Sequence, residues 1–299
     1  MRFSVYLLAA LGRASKPINV LLMALTYFLG AGIARFLGSR GSAQAFWLGL
    51  AGVLLAQITL GLLSEVFQAA EAPAPPLQDD RGGRRLALRE PALYLSTAAL
   101  AAAALISFIL YKAGSLTSAA LLAVAASLVV IVAYAVPPLR LMGKGFGELL
   151  LAIHIAYLGP SIGFLLQAGT FHLLLNVSIL PLTLLLLATF LVLDFPSYAE
   201  DLKYGRATLL IRLGWENALR LHQALLISAY VLLGVSALLG FSLALLAPGF
   251  LTIPFALLQW NFLRNIARGA KPIWGLLTAN AVALFGLTAY FLALSFWLR

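Results

Sequence analysis

The chain contains no cysteine, which excludes disulfides, thiolate metal sites, thioether-linked haem and a cysteine nucleophile together. Charge is scarce as well: 10% of the 299 residues are charged, against about a quarter in a soluble domain. Acidic residues are the scarcest, ten against twenty basic ones. None of the ten falls in the middle of a long apolar run, which argues against an ion or proton relay across a bilayer and so against a transporter. What fills the chain instead is hydrophobic, 63% of it.

A helix needs about 20 mostly apolar residues to cross a hydrocarbon core roughly 30 Å thick. Nine such runs are present, at 18–37, 44–66, 91–111, 117–136, 148–168, 173–193, 217–240, 243–263 and 275–297. They are continuously apolar rather than alternating, which excludes a membrane barrel. The expectation is an all-α polytopic membrane protein, a single domain over 1–299 with nine transmembrane helices. Residues 1–17 carry Arg2, Arg13 and Lys16 around a short apolar stretch, followed at once by a full span. That pattern reads as an interfacial amphipathic segment rather than a cleaved signal.

The net charge of +10 reports orientation here, not nucleic-acid binding. Sixteen of the twenty basic residues fall at the N-terminus and in the loops after spans two, four, six and eight; only Arg35, Arg40, Lys112 and Arg299 lie opposite. The positive-inside rule then places the N-terminus and these loops in the cytoplasm and the C-terminus outside. The larger of these cytoplasmic loops span 69–90 and 194–216.

Two loops carry chemistry. LVLDFPSYAEDLKYGRATLLIRLG, at 191–214, holds Asp194, Glu200, Asp201, Lys203 and Arg206 directly after a run of leucines. On one helix Asp194 and Asp201 are two turns apart and share a face; Pro196 between them means either a kink or a new short helix capped by Asp194. YAVPPLRLMGKGFGE, at 134–148, ends a span with paired prolines and then alternates Arg140 and Lys144 with apolar residues and glycines. Carboxylates suit Mg²⁺, which is held by one or two of them plus substrate phosphates, while Lys and Arg neutralise the remaining phosphate charge. A lipid diphosphate fits that description. A solvated loop marking where a helix leaves the lipid is the plainer reading of either charge run taken alone.

Taken together, these two stretches resemble the UbiA superfamily of intramembrane prenyltransferases, with the menaquinone-type branch most similar. The resemblance implies nine helices around a central cavity, with two Asp-rich motifs, after helices two and six, holding Mg²⁺ and an isoprenoid diphosphate. Asp194 and Asp201 match the outer acids of the second motif, Ser197 replaces its middle acid, and Gly205, Arg206, Thr208 and Leu209 match its tail. The first motif would fall on SEVFQAAEA, where Ser64, Gln68 and Ala72 occupy the ligand positions. Glu65 and Glu71 stand one residue off them, about 100° away on a helix.

The implied activity is transfer of an isoprenoid chain from a polyprenyl diphosphate to an aromatic acceptor, in quinone, menaquinone or related lipid biosynthesis. Asp194 and Asp201 would carry Mg²⁺, with Glu65 and Glu71 as substitutes at the first motif. Arg140, Lys144, Lys203, Arg206 and Gln68 would hold the diphosphate, and Tyr134 would face the developing allylic cation. The expected partners are the polyprenyl diphosphate, the acceptor and membrane lipid. The altered first motif supports a second reading, a relative that binds an isoprenoid lipid or a partner without transferring it.

The remaining polar residues read as structural. His154, alone on an apolar span, could act as a base toward an acceptor hydroxyl, though a lone histidine there is more often a hydrogen-bonded packing residue, and His172 and His222 sit near loop ends and are expected in solvent. Gln57, Gln68 and Asn176 are expected to bond across helices. Gly30, Gly32, Gly49, Gly52 and Gly61 allow close helix packing.

Overall fold

The computed structural model describes residues 9–68, 81–203 and 205–299, with the backbone alone at 81–87. Among these there is no β-strand, and nine helices are long and apolar enough to cross a membrane. They are α1 (Pro17–Phe36), α2 (Ala43–Val66), α3 (Leu88–Lys112), α4 (Ser118–Ala135), α5 (Gly147–Ala168), α6 (Leu173–Lys203), α7 (Trp215–Leu239), α8 (Leu243–Ala267) and α9 (Trp274–Trp297). Glu71, Asp79 and Asp80 lie outside the described residues, as do the side chains of Arg81, Arg84 and Arg85.

The starts of α2, α4 and α6 follow from capping. Ser42, Thr117 and His172 each accept a backbone N–H from the first turn with a side-chain atom, relieving one of the donors a helix start leaves open. Two elements depart from the hydropathy reading. The helix of α3 begins at Arg81, ten residues before the expected start at 91, and Pro91 lies inside it; the Arg-rich stretch ahead of the apolar run is already helical. α8 is broken: Leu243–Leu246 is α-helical, Ala247–Thr252 is 3₁₀, and regular α-helix resumes at Ile253. Pro248 lies at the start of that 3₁₀ stretch, where its missing N–H and fixed φ disfavour continuous α-helix.

α5 and α6 are the inner helices and α3 the outermost. α1 packs on the second half of α5 and on α9, α2 on α3, and α6 on α7 and α9. Close approach is obtained with glycine. A Cβ on Gly30 would collide with the Pro160 backbone, and one on Gly163 would lie 2.5 Å from the Tyr27 carbonyl oxygen, so α1 and α5 meet backbone to backbone. Gly61 likewise admits the carbonyls of Ala14 and Ser15, which seats the described part of the N-terminal segment against the end of α2.

Interior polar side chains mostly answer one another. Asn176 accepts from the Tyr157 hydroxyl (3.1 Å) across α5 and α6, and Ser127 on α4 meets His154 Nδ1 on α5 (3.4 Å). His172 is exposed, whereas His222, expected in solvent, is fully buried with its Nε2 2.8 Å from Gln259 Nε2. The correction has a simple cause: α7 starts at Trp215, so His222 lies two turns inside it and faces α8. Gln57 also departs from expectation, being fully buried with neither amide atom partnered among the described residues.

Candidate functional site

The second charged loop resolves the choice posed by Pro196. The regular helix of α6 ends at Asp194, a 3₁₀ turn covers Phe195–Ser197 with Pro196 near its start, and a new short helix runs Tyr198–Lys203. Asp194 does not cap that turn with its side chain. The fold at this turn carries Asp201 back toward Asp194 and buries it, at 2% exposure.

Both oxygens of Asp201 are occupied. Oδ2 accepts from the Ser197 hydroxyl (2.7 Å) and Oδ1 from Arg206 Nη1 (3.2 Å). The Arg206 backbone N–H adds a third link, to the Asp201 carbonyl (2.9 Å), across the left-handed Gly205. The Arg206 side chain stays 43% exposed while that of Asp201 is 3% exposed, so the guanidinium has one face on the acid and another open to incoming charge. Lys203 ends the same short helix.

The connector from α4 to α5 is folded onto this loop. It contains the cis Pro137–Pro138 bond, a left-handed Arg140 and a 3₁₀ turn over Leu141–Gly143. Arg212 donates to the Lys144 carbonyl (3.1 Å) and stacks on the Phe146 ring at 4.3 Å. Glu148 Oε1 accepts the Leu209 backbone N–H (3.1 Å), at the start of the short helix Leu209–Leu213. These stitches bring Glu148 beside Asp194, which interacts electrostatically with Glu148, Asp201 and Arg206 and lies within hydrogen-bonding reach of Glu148. Asp194 Oδ2 and Glu148 Oε2 are both shut off from solvent, and neither finds a hydrogen-bond donor among the described residues.

Tyr134 closes the adjoining side. It is buried at 4% exposure, and Gly147 lacks the side chain that would press on its ring. Lys16, at the start of α1, donates to its hydroxyl (3.3 Å) and lies 5.4 Å from the ring centre. Lys144 is exposed and donates to the Pro138 carbonyl (3.3 Å), whereas Arg140 Nε is buried without a partner among the described residues.

The end of α2 contributes less. Ser64 is buried and its hydroxyl donates to the Gly61 carbonyl of its own helix (2.6 Å). Among the described residues no hydrogen bond or ion pair joins Glu65 or Gln68 to Asp194 or Asp201. No group of three or more His, Asp or Glu among the described residues is arranged to hold a metal ion.

The structure therefore gathers Asp194, Asp201 and Arg206, with Tyr134 next to them through Gly147 and Glu148. Lys16, Arg212 and Glu148 were not among the site residues expected from the sequence. Glu148 alone left a signal, as the lone acid of the glycine-rich connector at the threshold of an apolar helix.

The donor set suits a hard divalent cation. A carboxylate oxygen buried without a hydrogen-bond donor is costly, and Asp194 Oδ2 is one; an oxygen-preferring ion such as Mg²⁺ relieves that cost with few protein ligands when phosphates supply the rest.

A model of the UbiA prenyltransferase family matches residues 84–280. Solved structures of a UbiA homolog from Archaeoglobus fulgidus are similar in fold. One, bound to DMAPP and Mg²⁺, aligns with a TM-score of 0.66 and 18% identity over 93% of this chain and 98% of that one. Another, bound to GPP and Mg²⁺, gives 0.65 and 18% over the same shares. No curated protein matches the chain.

Proposed function

The chain belongs to the UbiA prenyltransferase family, and on that premise we propose that it is a multi-pass membrane enzyme transferring an isoprenoid chain from a polyprenyl diphosphate to an aromatic acceptor in quinone or related lipid biosynthesis. The observation that carries the reading is the pairing of Asp194 and Asp201 with Arg206 at the end of α6. It is a compact mix of oxygen ligands and cation at the mouth of an otherwise apolar bundle. Solved UbiA homologs holding prenyl diphosphate with Mg²⁺ support the same ligand class.

Asp194 would hold the divalent cation with Asp201 beside it, the latter already engaged by Ser197 and Arg206; when bound, that cation would offset the charge of the departing diphosphate. Arg206 turns its open face to a phosphate oxygen, and Lys203, Arg140 and Lys144 add positive charge around it. Tyr134 presents an electron-rich ring to the allylic cation. A cleft of about 340 Å³ between α2, α3, α4 and α5, lined mainly by apolar side chains with Ser107 and Ser127 among them, reaches Ile131, one turn from Tyr134. Its position suits a prenyl tail. The site end faces the cytoplasm, as the basic loops require, and the C-terminus lies outside.

The α2 end supports the second reading, binding without transfer, because Ser64 is bonded within its own helix and brings no acid to the site. Membranes containing the chain are expected to release diphosphate from a polyprenyl diphosphate only with Mg²⁺. Absence of release at every donor length, with donor still bound, establishes the binding protein instead.

A further inference from the structure

We infer that Glu148, carried by the connector between α4 and α5, is the carboxylate that shares the divalent cation with Asp194. This rests on the cation-dependent reading given above and extends it to a residue outside the acidic stretch of α6. Three observations lead here. Asp201 has both oxygens engaged, by Ser197 and Arg206, so in the donor-free protein it has no oxygen unclaimed. Asp194 Oδ2 is shut off from solvent and lacks any donor among the described residues. Glu148 Oε2 is in the same condition, and the Glu148 side chain lies within hydrogen-bonding reach of Asp194.

Two enclosed carboxylates in contact repel unless something positive lies between them. Arg206 is within electrostatic range of Asp194 but directs Nη1 to Asp201. The other oxygen of Glu148 is fixed by the Leu209 N–H, so the side chain is held beside Asp194 rather than free to swing into solvent. One or two carboxylates plus phosphate oxygens are a customary protein share of Mg²⁺ coordination, and Asp194 with Glu148 supplies it.

A proton shared between the two carboxyls is the competing account, and Glu148→Gln separates them. Glutamine keeps an oxygen for the Leu209 N–H and offers an amide to Asp194, so it satisfies a proton-sharing pair and fails a cation. The full chain in lipid nanodiscs, without donor, is titrated with Mn²⁺ alone and the free ion is followed by electron paramagnetic resonance. Glu148→Gln is expected to weaken Mn²⁺ binding at least 10-fold, the lower end of what losing even an outer-shell partner costs. Its melting temperature is expected to rise in EDTA, where repulsion is relieved, and to fall below that of the parent at saturating Mn²⁺.

Unchanged Mn²⁺ affinity in Glu148→Gln, alongside weakened affinity in Asp194→Asn, overturns the inference and leaves the cation-dependent reading standing. Unchanged affinity in both overturns that reading too. Should Glu148→Gln fail to fold, Glu148→Asp retracts the carboxylate by one methylene; parental affinity in that variant equally overturns the inference.

Discussion

The hydroxyls of Tyr230, Thr252 and Thr288, between α7, α8 and α9, and the carboxylates of Glu148 and Asp194, at the inner end of α6, are both withdrawn from solvent. In the first cluster each oxygen has a partner. Tyr230 and Thr252 are 2.9 Å apart, Thr252 and Thr288 2.8 Å, and the two threonines also reach the carbonyls of Gly249 and Leu284. In the second, Asp194 Oδ2 and Glu148 Oε2, on neighbouring side chains, find no donor among the described residues. A closed hydrogen-bond circuit holds helices together; an open one of like charge is complete only with a ligand. The contrast separates polar groups that serve the bundle from polar groups that serve a reaction.

Three substitutions sharpen or break this contrast. The largest effect is expected from Asp194→Asn: diphosphate release falls by about 100-fold or more, the scale of removing one preorganised electrostatic contact from an active site, while the thermal stability of the metal-free protein holds or improves. Loss of folding in that variant would put Asp194 on the structural side of the comparison. Arg206→Ala comes next. Its guanidinium is half-exposed and offered to phosphate, so KM for the donor is expected to rise about 10-fold, in line with the loss of one charge-assisted hydrogen bond, with a smaller change in kcat. An unchanged KM would mean that Arg206 serves only Asp201. The smallest effect belongs to Thr252→Val, which opens the hydroxyl circuit and is expected to cost about 0.6–1.7 kcal/mol of stability. Mn²⁺ affinity should not move, and a shift there would show that the two clusters communicate.

Hydropathy made the nine spans legible because each run had to satisfy its own backbone in lipid, which leaves long apolar helices as the signature. It could not place the start of α3, where Arg81–Glu90 is polar yet helical, nor the 3₁₀ break of α8. At the site, the spacing of Asp194 and Asp201 put both on one loop, and the structure keeps them in electrostatic contact. Their division of labour was not legible, because it depends on Ser197 and Arg206 reaching Asp201 first. Glu148 was beyond the reach of spacing altogether. Its position beside Asp194 is set by Arg212 on Lys144 and Phe146 and by the Leu209 N–H, contacts between segments about sixty residues apart. His222 failed for a related reason: distance from a loop in sequence says nothing of which neighbour a helix face meets.

The seam between α1 and α5 has a mechanical consequence. With Gly30 against Pro160 and Gly163 against the Tyr27 carbonyl, main chain rests on main chain at these points, and Thr26 adds a hydroxyl bond across the seam to the Ile155 carbonyl (2.6 Å). These two helices should behave as a stiff keel when the surrounding bilayer thins or thickens, while α3, held mainly by α2, absorbs the deformation. Since the chain brings no thiol of its own, spin labels on single introduced cysteines would report this cleanly, as a fixed α1–α5 separation and a broadened α3–α5 one across lipids of different acyl length.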